Sequence, residues 1–162
     1  MILRPAESRD GGAILAIWNP IIRETIITFS SEEKTAESLS EMIAARRAAG
    51  HEFLVADDGG RVLGFATYAQ FRGGNGYAHA MEHTIILGAA SRGRGVGRAL
   101  MVAIEAHARA AGAHRLVAGV SGENAAGVSF HEALGFRTLT RISEVGRKFG
   151  RWHDLVLMMK CL

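Results

Sequence analysis

The stretch that decides the fold is His83-Thr84-Ile85-Ile86-Leu87-Gly88-Ala89-Ala90-Ser91-Arg92-Gly93-Arg94-Gly95-Val96-Gly97-Arg98. Its first third is apolar and rich in β-branched residues, the composition of a strand. Its last third places glycines at alternate positions. From there Val96, Leu100, Ala103, Ile104 and His107 recur at the spacing of one helix face, and Gly112 closes the segment. Glycines tolerate positive φ and let another group approach the backbone. The first N–H groups of a helix lack intrahelical acceptors and carry partial positive charge, so they favour an anion. Arg92, Arg94 and Arg98 add charge-assisted donors around the same turn. A pyrophosphate suits this set; the plain alternative is a tight strand-to-helix turn with solvated arginines. Two nucleotide motifs are absent. There is no Gly-Lys dipeptide for a P-loop, and the glycine order G-x-G-x-G is not the dinucleotide order G-x-G-x-x-G.

Working outward, Ile2-Leu3-Arg4 reads as a short strand stopped by Pro5. Asp10 is placed to cap a helix running to about Ile22, with Ile14, Ile17, Trp18 and Ile21 on one stripe. Ser38 with Glu41 has capping-box spacing for a second helix ending near Gly50. Phe53 to Asp57 and Val62 to Gln70 read as strands joined by a hairpin turn at Asp58-Gly59-Gly60. Arg72 to Gly76 is a polar, glycine-rich loop before a strand from Ala80 to Leu87. After the long third helix come a strand from Arg115 to Val120 and a helix from Asn124 to Leu134, with Gly135 at its C-cap. Phe136 to Ser143 and Asp154 to Lys160 supply two last strands. The alternation implies an α/β fold of one domain, residues 1–162, around a central mixed sheet.

Composition narrows the class. The 162 residues are 48% hydrophobic and 22% charged, which is a soluble globular balance. No run approaches the roughly 20 apolar residues of a membrane span, and Met1-Ile2-Leu3-Arg4-Pro5 lacks the apolar stretch of a signal peptide. A single cysteine, Cys161, forms no internal disulfide, and a reducing, cytoplasmic setting is expected. The net charge is +3 with scattered basic residues, so nucleic acid is not expected as a partner. No metal is expected either. His79 and His83 would lie about 13 Å apart on a strand rising roughly 3.3 Å per residue, too far to share an ion.

Arg92 to Gly97 matches the (R/Q)-x-x-G-x-(G/A) signature, and the chain resembles the GNAT superfamily of N-acetyltransferases. Three further segments extend the likeness. Asn124-Ala125-Ala126 with Phe130-His131-Glu132-Ala133-Leu134-Gly135-Phe136 is similar to the family's second CoA-side helix. Glu82-His83-Thr84-Ile85-Ile86-Leu87 and Gly146-Arg147-Lys148-Phe149-Gly150-Arg151-Trp152-His153-Asp154 resemble the group that acetylates phosphinothricin and methionine sulfoximine. The resemblance implies a twisted mixed sheet of about seven strands and about four helices, with a splayed strand pair that holds acetyl-CoA. It implies transfer by direct attack of a primary amine, through a tetrahedral intermediate, onto a small amino-acid-like acceptor. It also implies a homodimer with pockets near the subunit interface.

Residue by residue, the likeness gives Ile85, Ile86 and Leu87 the CoA arm and the thioester carbonyl. Arg92, Gly93, Arg94, Gly95, Val96, Gly97 and Arg98 would cradle the pyrophosphate, and Asn124 would contact the arm. Glu82 would be the base that removes the amine's proton; the competing role is a salt-bridged structural carboxylate. His131 stands where many relatives carry a tyrosine that protonates the leaving sulfur; the competing role is a packed histidine. The acceptor pocket would take Arg72, Asn75, Gly76 and Tyr77, with Thr84 and Phe29 nearby. Arg72 either forks onto an acceptor carboxylate or is an exposed loop arginine. Trp152 and His153 are expected to pack rather than react.

This chain departs from the group at four places: Gly127 replaces a frequent serine, Ile86 a common tyrosine and Phe29 a frequent tryptophan, and Gly88-Ala89-Ala90 lacks the usual proline. Three rival functions are a protein N-terminal or lysine acetyltransferase of the same fold, a non-catalytic acyl-CoA-binding module, and a nicotinamide-dependent oxidoreductase. The last lacks its fingerprint and a second βαβ half.

Overall fold

The computed structural model describes residues 1–162. In chain order the elements are β1 (Ile2–Pro5), α1 (Gly11–Glu24), α2 (Ala36–Ala48), β2 (Phe53–Asp58), β3 (Arg61–Gln70) and β4 (Ala80–Leu87). Then follow α3 (Val96–Ala110), β5 (Arg115–Ser121), α4 (Ala125–Glu132), β6 (Arg137–Lys148) and β7 (Arg151–Cys161). The strands form one seven-stranded sheet in the order β1-β2-β3-β4-β5-β7-β6. Every neighbouring pair is antiparallel except β4–β5. This is the mixed sheet with four helices that the sequence implies.

Each face of the sheet buries its own core. Ile14, Trp18 and Ile22 of α1, with Leu39 of α2, cover Phe53, Val55 and Phe65. On the other face Leu100, Met101 and Ile104 of α3 cover Ala66, Tyr68 and Leu116. The stripe read from Val96 onward is therefore the buried face of α3, although Ala103 and His107 sit at its margin.

Three boundaries differ from the sequence reading. Asp10 stands before α1 but makes no cap bond to it. Its carboxylate turns back to accept from the Glu7 N–H at 2.7 Å and from both Arg4 terminal nitrogens at 2.7 and 2.8 Å. Charge pairing outcompetes a neutral cap, and α1 runs to Glu24 rather than Ile22. The capping box of α2 lies one turn earlier, between Thr35 and Ser38: Ser38 N–H donates to Thr35 Oγ1 at 3.1 Å and Thr35 N–H to Ser38 Oγ at 2.9 Å. The serine hydroxyl replaces the longer acid of the usual box. Finally, β6 and β7 run far beyond Ser143 and Asp154 and meet in a tight turn at Phe149 and Gly150, with φ of 52° and 73°. Bulges between Thr138 and Thr140 and between Ile142 and Gly146 break the alternation that would reveal such a strand.

The fork and the side chains around it

The parallel pair β4–β5 is short. Ala80, Met81 and Glu82 pair with Arg115, Leu116 and Val117, and pairing stops there. Beyond that point β4 stays with β3 through Ile85, Ile86 and Leu87, while β5 stays with β7 through Ser121. The two strands diverge, and the inward backbone groups of β4 after Glu82 face a gap instead of a partner. A strand edge with unpaired N–H and C=O groups is a template for an extended amide chain.

At the open end of the fork lies the glycine turn. Gly93 and Gly95 have φ of 71° and 70°, and nothing lies within 4 Å of a Cβ built on either. The N–H groups of Gly93, Gly95, Val96, Gly97 and Arg98 have no acceptor in the chain; the first helical bond is Ala99 N–H to Gly95 C=O. Five free donors at a helix N-terminus, beside exposed arginines, fit a pyrophosphate. Arg94 pairs with Asp58 at 2.6 Å, and Arg98 donates to the Ala133 carbonyl at 3.2 Å. Gly97 has a different task. A Cβ there would meet Leu87 Cδ1 and Phe130 Cε2 at 3.0 Å, so this glycine lets α3 press against β4 and α4.

Asn124 caps α4: its Oδ1 accepts from Gly127 N–H at 2.9 Å. A Cβ at Gly127 would meet Asn124 Nδ2 at 2.5 Å. Glycine in place of the frequent serine thus leaves room for that cap, and Nδ2 keeps its donors free.

Glu82 sits at the apex of the fork. Its Oε1 lies 3.2 Å from where Gly119 of β5 would carry a Cβ. It has no salt-bridge partner; its side chain is open to solvent, and partial desolvation by the surrounding strands raises its carboxyl above the ordinary range. The structural ion-pair role weighed for Glu82 has no cation here to support it. His131 is buried on the opposite face of the sheet, in contact with His83, Phe130 and Phe136. Its Nδ1–H donates to the Gly127 carbonyl at 2.7 Å, and its Nε2 lies 3.1 Å from His83 Nε2. Burial lowers the pKa of both rings; His83, with a further push from His131, falls to about 3.

The expected acceptor residues do not form one wall in this chain. Arg72 and Tyr77 are exposed in the loop before β4, where the guanidinium stacks over the Tyr77 ring at 5.6 Å. Asn75, Gly76 and Tyr77 form a single 3₁₀ turn, and Gln70 Nε2 ties the loop by donating to the Arg72 and Gly74 carbonyls, both at 2.7 Å. That is the closed end of the fork. Thr84 is half-buried on β4. Phe29 lies toward the open end, its ring 5.5 Å from the buried His153 ring and filling the space above Gly146.

Sequence reasoning missed what holds Phe29. Lys148 is buried, and its Nζ donates to the carbonyls of Ile22, Thr25 and Thr28 at 2.5, 2.6 and 2.7 Å. His153 Nε2–H donates to the Lys148 carbonyl at 3.0 Å, and its Nδ1 faces Glu123, which Arg151 also grips. One chain of contacts therefore links the Phe29 segment to the turn before Asn124. The one sequence signal is its place in the C-terminal segment that carries the resemblance; nothing there tells that the lysine is buried. Two cavities, of about 300 and 350 Å³, lie elsewhere; the first meets the fork strands only at Arg115, at the closed end, and the second not at all.

The chain is similar to known proteins along nearly its whole length. The acetyltransferase (GNAT) domain model matches residues 3–157. The L-methionine sulfoximine/L-methionine sulfone acetyltransferase of Salmonella typhimurium is 33% identical over 158 residues, 98% of this chain and 92% of that protein. The phosphinothricin N-acetyltransferase of Streptomyces coelicolor is 33% identical over 94% of this chain and 91% of its own length. Among solved structures, yncA from Salmonella typhimurium with its cofactor acetyl-CoA gives a TM-score of 0.95 at 33% identity, over 100% of this chain and 94% of that one. The ribosomal-protein-alanine N-acetyltransferase from Brucella melitensis gives 0.96 at 34% identity, over 100% of both chains. With the family model matching residues 3–157 and relatives one-third identical over nearly the whole length, the chain belongs to the GNAT acetyltransferases.

Proposed function

We propose that this enzyme moves the acetyl group of acetyl-CoA to the primary amine of a small amino-acid-like acceptor of the methionine sulfoximine, methionine sulfone or phosphinothricin type. The observation that carries the reading is Glu82: an unpaired, partly desolvated carboxylate at the apex of a fork whose open end is a phosphate cradle. Amino-acid amines are mostly protonated at neutral pH. Glu82, directly or through a water, takes one proton and frees the nitrogen lone pair for attack on the thioester carbonyl. The C–N bond forms, the C–S bond breaks, and the departing thiolate needs a proton. We take that proton from the attacking nitrogen, which has one more to lose once the C–N bond has formed; His131, weighed above as the donor, holds its one hydrogen on the Gly127 carbonyl. Ile85, Ile86 and Leu87 hold the arm and the carbonyl with their unpaired edge. Residues Arg92 to Arg98 hold the pyrophosphate, with Asn124 Nδ2 on the arm. Arg72, Asn75, Gly76, Tyr77, Thr84 and Phe29 are assigned to the acceptor. The working unit is one domain, residues 1–162, acting as a cytoplasmic homodimer. No helix of the chain is long and apolar enough to cross a membrane.

The test is Glu82→Gln. We expect kcat to fall by about 10²–10⁴-fold with the acetyl-CoA KM nearly constant. Because partial desolvation raises the Glu82 pKa, the base form disappears as pH falls through that raised value. The acid limb of the wild-type rate profile should thus lie above the ordinary glutamate pKa of about 4.3, and the variant should lose it. A folded variant with near-native kcat across the pH range would remove Glu82 from the mechanism. A second reading, a protein N-terminal amine as acceptor, is favoured by the likeness to the Brucella protein. Turnover of ribosomal-protein N-terminal peptides in preference to methionine sulfone would select it.

A further inference from the structure

The two buried histidines on the α4 side of the fork hold fixed protons. The Gly127 carbonyl can only accept, so His131 Nδ1 carries a hydrogen. Burial keeps both imidazoles neutral. A neutral His131 then has a bare Nε2, and the atom 3.1 Å away, His83 Nε2, must be the donor to it. The rings are 25° from coplanar with centroids 5.0 Å apart, which suits an in-plane N–H···N bond. His83 Nδ1 is a bare lone pair, and it is buried with no hydrogen-bond partner.

An orphaned buried acceptor is destabilising and calls for an explanation. The groups packed around His83 do not supply one. His131 is already used, Phe136 meets the ring at 5.6 Å with no donor, and Tyr68, opposite His83 on β3, sends its hydroxyl to His107 Nδ1 at 2.8 Å. The place in the fold is informative. Glu82 is the last β4 residue paired to β5, so His83 is the first residue of the splayed part.

We propose that His83 Nδ1 is an acceptor for the pantetheine arm of CoA, taking a hydrogen bond from an amide N–H of the arm or from the thiol S–H left after transfer. The inference rests on the reading of the fork as the CoA site. His83 thereby becomes a positioning residue. It holds His131 in one tautomer with one nitrogen and senses the arm with the other.

The experiment is ¹⁵N NMR of histidine-labelled wild-type protein, titrated separately with acetyl-CoA and with CoA, alongside calorimetry of both. In the free protein His83 Nδ1 should resonate as an unprotonated nitrogen without a hydrogen bond, and His131 as the Nδ1–H tautomer. On saturation the His83 Nδ1 signal should move toward the hydrogen-bonded range. A shift with both ligands identifies an arm amide; a shift with CoA alone identifies the thiol; either supports the proposal. If calorimetry shows saturation and the His83 Nδ1 signal stays in place, the proposal is overturned while the cofactor site stands. If neither ligand binds, the cofactor reading falls and the inference with it. As a second measure, His83→Phe should weaken acetyl-CoA binding by about three- to tenfold, the loss expected for one hydrogen bond. Unchanged affinity in that variant would also count against it.

Discussion

Among the residues proposed for the acceptor, Arg72 carries the charge suited to a carboxylate. Arg72 is exposed, has no carboxylate partner in the chain, and sits 5.6 Å from the centre of the Tyr77 ring. A cation held only by a ring keeps its donors free to fork onto an incoming carboxylate. We therefore expect Arg72→Ala to reduce kcat/KM for amino-acid acceptors by about 10-fold or more, as for loss of a charge-assisted hydrogen bond. The corresponding amides and esters should lose much less. Steady-state assays of methionine sulfone against its amide check this; equal losses would show that Arg72 does not read the carboxylate. Not every residue of the site can be read this way. Glu82 stands out in the sequence because it is an acid within an apolar strand. His83, its neighbour, does not, because its chemistry depends on a tautomer set from α4, 48 positions away.

The segment after α1 is held by a buried cation. Lys148 places all three ammonium hydrogens on main-chain oxygens at or near the C-terminal end of α1, where a positive charge is favourable. Lys148→Met would leave three carbonyls without it. We expect a stability loss of about 2–3 kcal/mol, read as a lower urea midpoint. The acceptor KM should rise as Phe29 loosens, with the acetyl-CoA KM nearly unchanged. Lys148→Arg should not rescue, because the three oxygens converge on a point charge rather than a planar fork. Equal changes in both KM values would detach the Phe29 segment from the acceptor. The contrast with α3 shows what a sequence can disclose. Helix α3 and the strand before it follow from local periodicity and a glycine turn. The Lys148 bonds join residues 120 to 126 positions apart, and a lone lysine in a strand gives no local sign of its partners. The long β6–β7 ribbon is hidden for another reason: its bulges interrupt the period of two by which a strand is recognised.

The β6–β7 ribbon leaves the largest apolar surface of the fold uncovered. It outruns the sheet, since its last pairs, Gly146 with His153 through Lys148 with Arg151, lie beyond the final β5 pair at Ser121. Leu139, Ile142, Val145, Phe149 and Trp152 along it are all exposed. Large side chains clustered in this way on a sheet edge usually mark a surface that another chain covers. Phe29, assigned to the acceptor, packs on the same ribbon at Gly146, whereas Arg72 lies at the opposite end of the fork. A second copy seated on the ribbon would give the acceptor pocket a wall that one chain lacks. We therefore expect the wild-type protein to sediment as a dimer and Val145→Glu, 53% exposed here, to sediment as a monomer with its fold intact. In that monomer the acceptor KM should rise by about 10-fold or more, as for a lost buried apolar contact, while calorimetric acetyl-CoA affinity stays near the wild-type value, because the glycine turn and the β4 edge belong to one chain. A wild-type monomer, or a monomeric variant with native acceptor kinetics, would show that the pocket closes without a partner and that the ribbon serves something else.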